Sequence, residues 1–164
     1  MTTKELLKLT ADDLIKRIKS NVGLNQFIIE RAKFEGWLKV ELIDILLKKH
    51  LLALPEIDRI DITFKNTAIE LKTINTNYRF SKVKNKNRPI TKNINGILKD
   101  IKKLKNKRFK DKFVIFIVFP LELNINIKKW EPHINKINKE LSELTYKEFR
   151  FNNNIPALLY YGKI

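Results

Sequence analysis

The sequence predicts a mixed α/β fold, one mixed sheet with helices packed on it. Three observations predict it. Two short runs, 57–64 and 68–74, alternate between apolar and polar residues with a period of two. A third run, 112–119, is apolar almost throughout, as in a strand buried on both faces. Stretches with apolar residues three and four apart lie before, between and after these runs. At 164 residues and 43% apolar content, the chain has the length of one domain and can bury a core. It divides into a helical extension at 1–23, a central core at about 30–120, and a C-terminal helix with strands at 121–164.

Each element has its own signal. Thr10, with Asp13 three residues on, reads as the N-cap of a short helix ending near Ser20. Asn21, Val22 and Gly23 break it. A second helical stretch covers about 24–52, with a bend expected near Gly36, and Pro55 ends the helical region. The runs 57–64 and 68–74, separated by Lys65, Asn66 and Thr67, read as a β-hairpin. Residues 75–92 form a polar, basic connection. Asn93 or Asn95 is the expected cap of a helix ending near Asn106. Pro120 closes the apolar strand. Trp130, Ile134, Ile137, Leu141 and Leu144 share helical spacing and predict a helix over 128–144. Two last strands, about 145–151 and 156–161, flank Asn152, Asn153 and Asn154.

Composition narrows the function. The chain has no Cys, which removes disulfides, thiolate metal sites and a cysteine nucleophile. Two His, His50 and His133, are too few for a multi-histidine zinc site. There are four Gly, and neither a phosphate-loop pattern nor a dinucleotide-binding glycine pattern occurs. No apolar signal core opens the chain, and no stretch reaches the ~18 apolar residues of a membrane span. A soluble, intracellular, cytoplasmic protein is therefore expected. The net charge of +16 points to a polyanion, most simply nucleic acid. Residues 82–112 hold thirteen Lys or Arg against two Asp, and so eleven of those sixteen charges. A phosphate-contacting surface explains that concentration; an ordinary solvated loop and helix face is the alternative.

The chemistry-bearing segment is 57–72. With Lys65 and Asn66 as the turn, Phe64 faces Thr67 and Asp61 faces Glu70 on one side of the sheet, Cβ atoms ~5 Å apart. Facing carboxylates repel unless they share a cation or a proton. Lys72 lies one pleat repeat beyond Glu70 on the same face, ~7 Å away. On the preceding helical stretch Phe34, Leu38, Leu42 and Ile45 form an apolar stripe, and Glu41 falls within it. A carboxylate there needs a partner or a metal. Asp44, between Val40 and Leu47, is placed comparably.

Asp61 within Arg59-Ile60-Asp61-Ile62, the element Ile69-Glu70-Leu71-Lys72, and Glu41 within the helix 35–42 together resemble the PD-(D/E)XK nuclease superfamily, the restriction-endonuclease-like fold. The helix at 96–104 and the buried strand match the second half of that core in order, so the resemblance spans about 30–120. Ile60 stands where the family usually has Pro. Only about 51–56 is free for the strand that the family places before the Asp strand, so that strand is expected to be very short or replaced.

The resemblance implies a metal-dependent DNA endonuclease. Asp61, Glu70 and the Leu71 carbonyl would hold Mg²⁺ or Mn²⁺, with Glu41 adding a ligand directly, through water or at a second ion. Such an ion polarises phosphate and lowers the pKa of an attacking water. Lys72 would orient or help deprotonate that water, leaving 5′-phosphate and 3′-hydroxyl ends. A homodimer is implied for cutting two strands, with no small-molecule cofactor and no membrane partner. Candidate DNA contacts are Tyr78, Arg79, Lys82, Lys84, Lys86 and Arg88 in the basic connection, with Lys99 and Lys103 on the next helix. Restriction-type, junction-resolving, and repair or mobile-element nucleases all remain open. So do a non-catalytic nucleic-acid-binding protein on this fold and a basic structural protein. Trp37 and Trp130 read as core anchors, and His133 as a surface residue.

Overall fold

The computed structural model describes residues 2–87 and 89–164. A six-stranded mixed sheet in the order β1-β2-β3-β4-β6-β5 forms the middle layer. Its strands are β1 Ala53–Ile57, β2 Ile60–Phe64, β3 Thr67–Asn75, β4 Asp111–Phe119, β5 Glu143–Arg150 and β6 Pro156–Lys163. β3 and β4 run parallel, and every other neighbouring pair is antiparallel. Helices α1 (Thr3–Ser20), α2 (Leu24–Ile29) and α3 (Glu35–Lys48) share one core with one sheet face. Helices α4 (Ile90–Lys105) and α5 (Leu123–Asn138) share a second core with the other face. No helix among the described residues is long and apolar enough to cross a membrane.

α1 begins well before the expected cap. Thr2 is its N-cap and forms a capping box with Glu5. Thr10 lies mid-helix, buried, and its hydroxyl donates to the Leu6 carbonyl at 2.7 Å. Leu7, Leu14 and Ile18 face the same core as α3. The stretch 24–52 is two helices rather than one. Arg31, at φ 53, turns the chain between them. α3 ends at Lys48 because His50 takes φ 58, with its N–H on the Leu47 carbonyl and the Leu51 N–H on the Leu46 carbonyl. That is a Schellman closure without its usual glycine.

The expected strand 57–64 is instead the end of one strand and the whole of the next. Ile57 pairs with Ile60 across Asp58 and Arg59, both at positive φ, as a two-residue turn of the I′ kind requires. β1 is thus the strand ahead of the Asp strand, five residues long and with Pro55 on the sheet edge. The β2–β3 hairpin has the expected register, Phe64 to Thr67 and Ile62 to Ile69. α4 starts at Ile90 rather than at Asn93 or Asn95, which brings Ile90 into the stripe Ile94, Ile97, Ile101, Leu104. α5 covers 123–138 rather than 128–144; Leu144 belongs to β5, opposite Gly162. Trp130 is fully buried and donates to the Tyr160 hydroxyl at 2.8 Å, whereas Trp37 is half-buried at the margin of the core.

Candidate active site

β3 pairs with β4 along its whole length, but its other edge is covered by β2 only as far as Ile69. Among the described residues no strand covers that edge from Glu70 to Asn75. The amides of Leu71 and Thr73 face the open edge, and carboxylates take them. The Leu71 N–H donates to Asp61 Oδ2 at 2.8 Å, and the Thr73 N–H to Glu35 Oε1 at 3.0 Å. A residue in an extended strand points its N–H and C=O to the same side, so the Leu71 carbonyl also faces this edge.

Three lysines surround the acid pair. Lys39 on α3 lies 2.8 Å from Asp61 Oδ1 and also pairs with Glu56. Lys103 on α4 lies 2.5 Å from Glu70 Oε1 and donates to the Arg59 carbonyl at 2.9 Å. Lys72 pairs with Asp100 at 3.1 Å. Glu70 is only 3% exposed. Burial, with Asp61 and Asp100 nearby, pushes its carboxyl up to about 7 against the pull of Lys103. Burial would raise Asp61 too, but the hydrogen bonds from Lys39 and the Leu71 amide outweigh it and hold that carboxyl below its ordinary value. Burial lowers Lys72, but Asp100, Glu35 and Asp61 together raise it further, so the amine is held as ammonium.

The donor set fits a hard divalent cation. Glu70 Oε1 is buried, and the Lys103 ammonium 2.5 Å away stands where a metal cation would. An oxygen so placed beside a second carboxylate and a backbone carbonyl suits Mg²⁺ or Mn²⁺. Among the described residues no three acids or His gather to enclose an ion. Two carboxylates, a carbonyl and retained waters make the smaller set that Mg²⁺ accepts.

The structure brings Asp61, Glu70 and Lys72 together, and it does not bring Glu41 to them. Glu41 Oε2 takes Arg17 of α1 at 2.6 Å, and Arg17 also holds Asp44. Glu35 is the α3 carboxylate that reaches β3. Its signal in the sequence is position: it stands three residues before Leu38 and seven before Leu42, on the same helix face. Asp100 has the same kind of signal, an acid three residues after Ile97 and four before Leu104 in the buried stripe of α4. Lys39, four residues after Glu35, completes the set that sequence reasoning missed.

The expected DNA contacts fall into different places. Tyr78 is buried in the core beneath α4, its hydroxyl pushed up to about 12 by burial, and it offers no face to a base. Lys84 and Lys86 both pair with Glu30, and Lys86 also donates to the Glu30 carbonyl, so they fasten the connection to α2. Arg79, Lys82 and Lys99 are exposed. Lys103 turns inward to Glu70. Arg88 lies outside the described residues. Buried Arg31 donates to the carbonyls of Lys84, Thr76 and Tyr78, which fixes the start of the connection against β3.

No family model, curated protein or solved structure gives a significant match to the chain.

Proposed function

We propose that the protein is a metal-dependent DNA endonuclease with a restriction-endonuclease-like core, and that it hydrolyses phosphodiesters at the open edge of β3. The observation that carries this reading is the meeting of Asp61, Glu70 and Lys72 on that edge, with the Glu70 carboxyl raised first by its burial and then by its acidic neighbours. Asp61, Glu70 and the Leu71 carbonyl would hold Mg²⁺ or Mn²⁺. When bound, the ion would supply charge stabilisation at the phosphate and a more acidic water.

The chain's own residues divide the remaining work. Lys72, held protonated by Asp100, orients the attacking water through its ammonium and stabilises charge that develops on phosphate. Lys39 keeps Asp61 ionised and fixed in place. Lys103 neutralises Glu70 and ties α4 to the turn at Arg59. Glu35 anchors the Thr73 amide and so keeps the uncovered strand straight beside Lys72.

The saturation of both carboxylates by Lys39 and Lys103 favours a second reading, a DNA-binding protein on the same core without turnover. Labelled duplex, single-stranded, flapped and four-way-junction DNA, incubated with Mg²⁺, Mn²⁺ or EDTA, separates the two. A nuclease yields metal-dependent fragments with 5′-phosphate ends, and the favoured substrate selects between resolvase, restriction-type and repair enzymes. Retention without any cleavage on all four supports the second reading.

A further inference from the structure

The open edge of β3 continues past the acid pair into a groove of about 610 Å³. Residues 72–75 form its floor. Residues 31–33 make one wall, and the first turns of α4, with Pro89, Lys92 and Asn93, make the other. The volume lies within the range of small-ligand pockets.

Three features of the groove point to one ligand chemistry. The N-terminus of α4, a helix of sixteen residues, opens at the groove with Pro89 as its N-cap and no side-chain capping bond. Its first amides and the positive end of its dipole therefore favour an anion. Lys33 and Lys92 stand exposed on opposite walls, and Lys72 lies on the floor. Two side chains on the floor, Thr73 and Asn75, are 1% and 2% exposed, and their Oγ1 and Oδ1 have no hydrogen-bond partner. Asn93 closes the floor to the wall by donating to the Asn75 carbonyl at 3.2 Å. The arrangement combines cations and helix amides for a phosphate with a buried acceptor and a hydroxyl for a neighbouring N–H or O–H. A nucleotide unit carries both.

We propose that this groove seats one nucleotide of a single DNA strand, the one flanking the scissile phosphate. Its phosphate lies against Lys33, Lys92 and the N-terminus of α4. Its base presents an N–H to Asn75 Oδ1 and Thr73 Oγ1. This rests on the nuclease reading for the adjacency to a scissile phosphate; the groove's affinity for a strand does not depend on cutting.

The test is binding of a fluorescein-labelled single-stranded DNA in EDTA, followed by anisotropy across salt concentrations. Each lost phosphate contact flattens the plot of log affinity against log salt by ~0.7. The double variant Lys33→Ala/Lys92→Ala is expected to flatten it by ~1.4, and Lys139→Ala, on the far end of α5, by nothing. Thr73→Val/Asn75→Leu should weaken binding about tenfold with the slope unchanged, as lost hydrogen bonds without a lost charge contact do. Lys33 and Lys92 are exposed, so their double variant tests the groove even if the floor variant fails to fold. A slope unchanged in Lys33→Ala/Lys92→Ala, in a protein that still cuts DNA with Mg²⁺, overturns the groove and leaves the nuclease intact. A flattened slope in a protein that cuts nothing keeps the groove and removes the nuclease.

Discussion

Glu70 combines nearly complete burial with a carboxyl raised to about 7, so its ionisation works against the fold. Below its ordinary value of 4.5 the native and unfolded chains both hold the proton, and the group contributes nothing. Between 4.5 and about 7 the native state keeps a proton that the unfolded state has lost, so this contribution to stability falls as pH rises. Above about 7 the full cost applies, roughly 3 kcal/mol for a shift of this size. Glu70→Gln is therefore expected to raise the melting temperature at pH 8 and to leave it unchanged at pH 4, as thermal denaturation would show. A divalent cation reverses the balance by binding the ionised form. Mg²⁺ should raise the wild-type Tm at pH 8, and lose affinity about tenfold per pH unit below 7. Glu70→Gln should show no Mg²⁺ response. Lys72 gives the complementary expectation. Its ammonium is retained, so Lys72→Ala should lower single-turnover cleavage ~10²–10³-fold while DNA affinity in EDTA falls far less.

At the scale of elements, what the sequence announces depends on whether the signal is local. The hairpin register was legible because Lys65 and Asn66 separate two alternating runs, and that register puts Asp61 and Glu70 each one residue past the last ladder pair, Ile62 with Ile69. The β1–β2 turn was not, because Asp58 and Arg59 adopt positive φ without a glycine. Lys107, just past α4, and Lys103 on it hold the carbonyls of those two residues, a long-range contact that leaves no local trace. The end of α3 was hidden for the same reason, since His50 stands where a glycine signals a helix end. His50→Gly is expected to stabilise the fold by up to about 1 kcal/mol in urea denaturation, by relieving the left-handed conformation. Arg31 shows the opposite case, a strained turn fixed by its side chain. Arg31→Met leaves buried carbonyls of Thr76 and Tyr78 without their donor, at about 1–3 kcal/mol each. Faster amide exchange across 76–84 would register the loosened connection.

For the whole molecule, charge and composition make nucleic acid the expected partner, and they do not say which lysines are free to meet it. The lysine-rich run 82–112 is divided by the fold. Lys84 and Lys86 fasten a loop, Lys103 turns inward to Glu70, Lys107 holds the surface turn at Asp58, and Lys82, Lys92 and Lys99 remain exposed. Glu41 was misplaced for a related reason. A carboxylate on an apolar stripe announces a need for a partner, and only the packing of α1 on α3 shows that the partner is Arg17. One chain presents one acid pair, so cutting both strands of a duplex calls for two copies. A duplex-specific enzyme is expected to double in mass on DNA by light scattering. The measurement that bears most directly on the account is single-turnover cleavage of the favoured DNA by wild type, Asp61→Ala and Lys72→Ala over a Mg²⁺ titration. The account expects cutting that saturates with Mg²⁺, stops in EDTA and is lost in both variants, each still folded and still binding DNA. Cutting that persists in both variants, or DNA bound and left intact at every Mg²⁺ concentration by wild type, contradicts it.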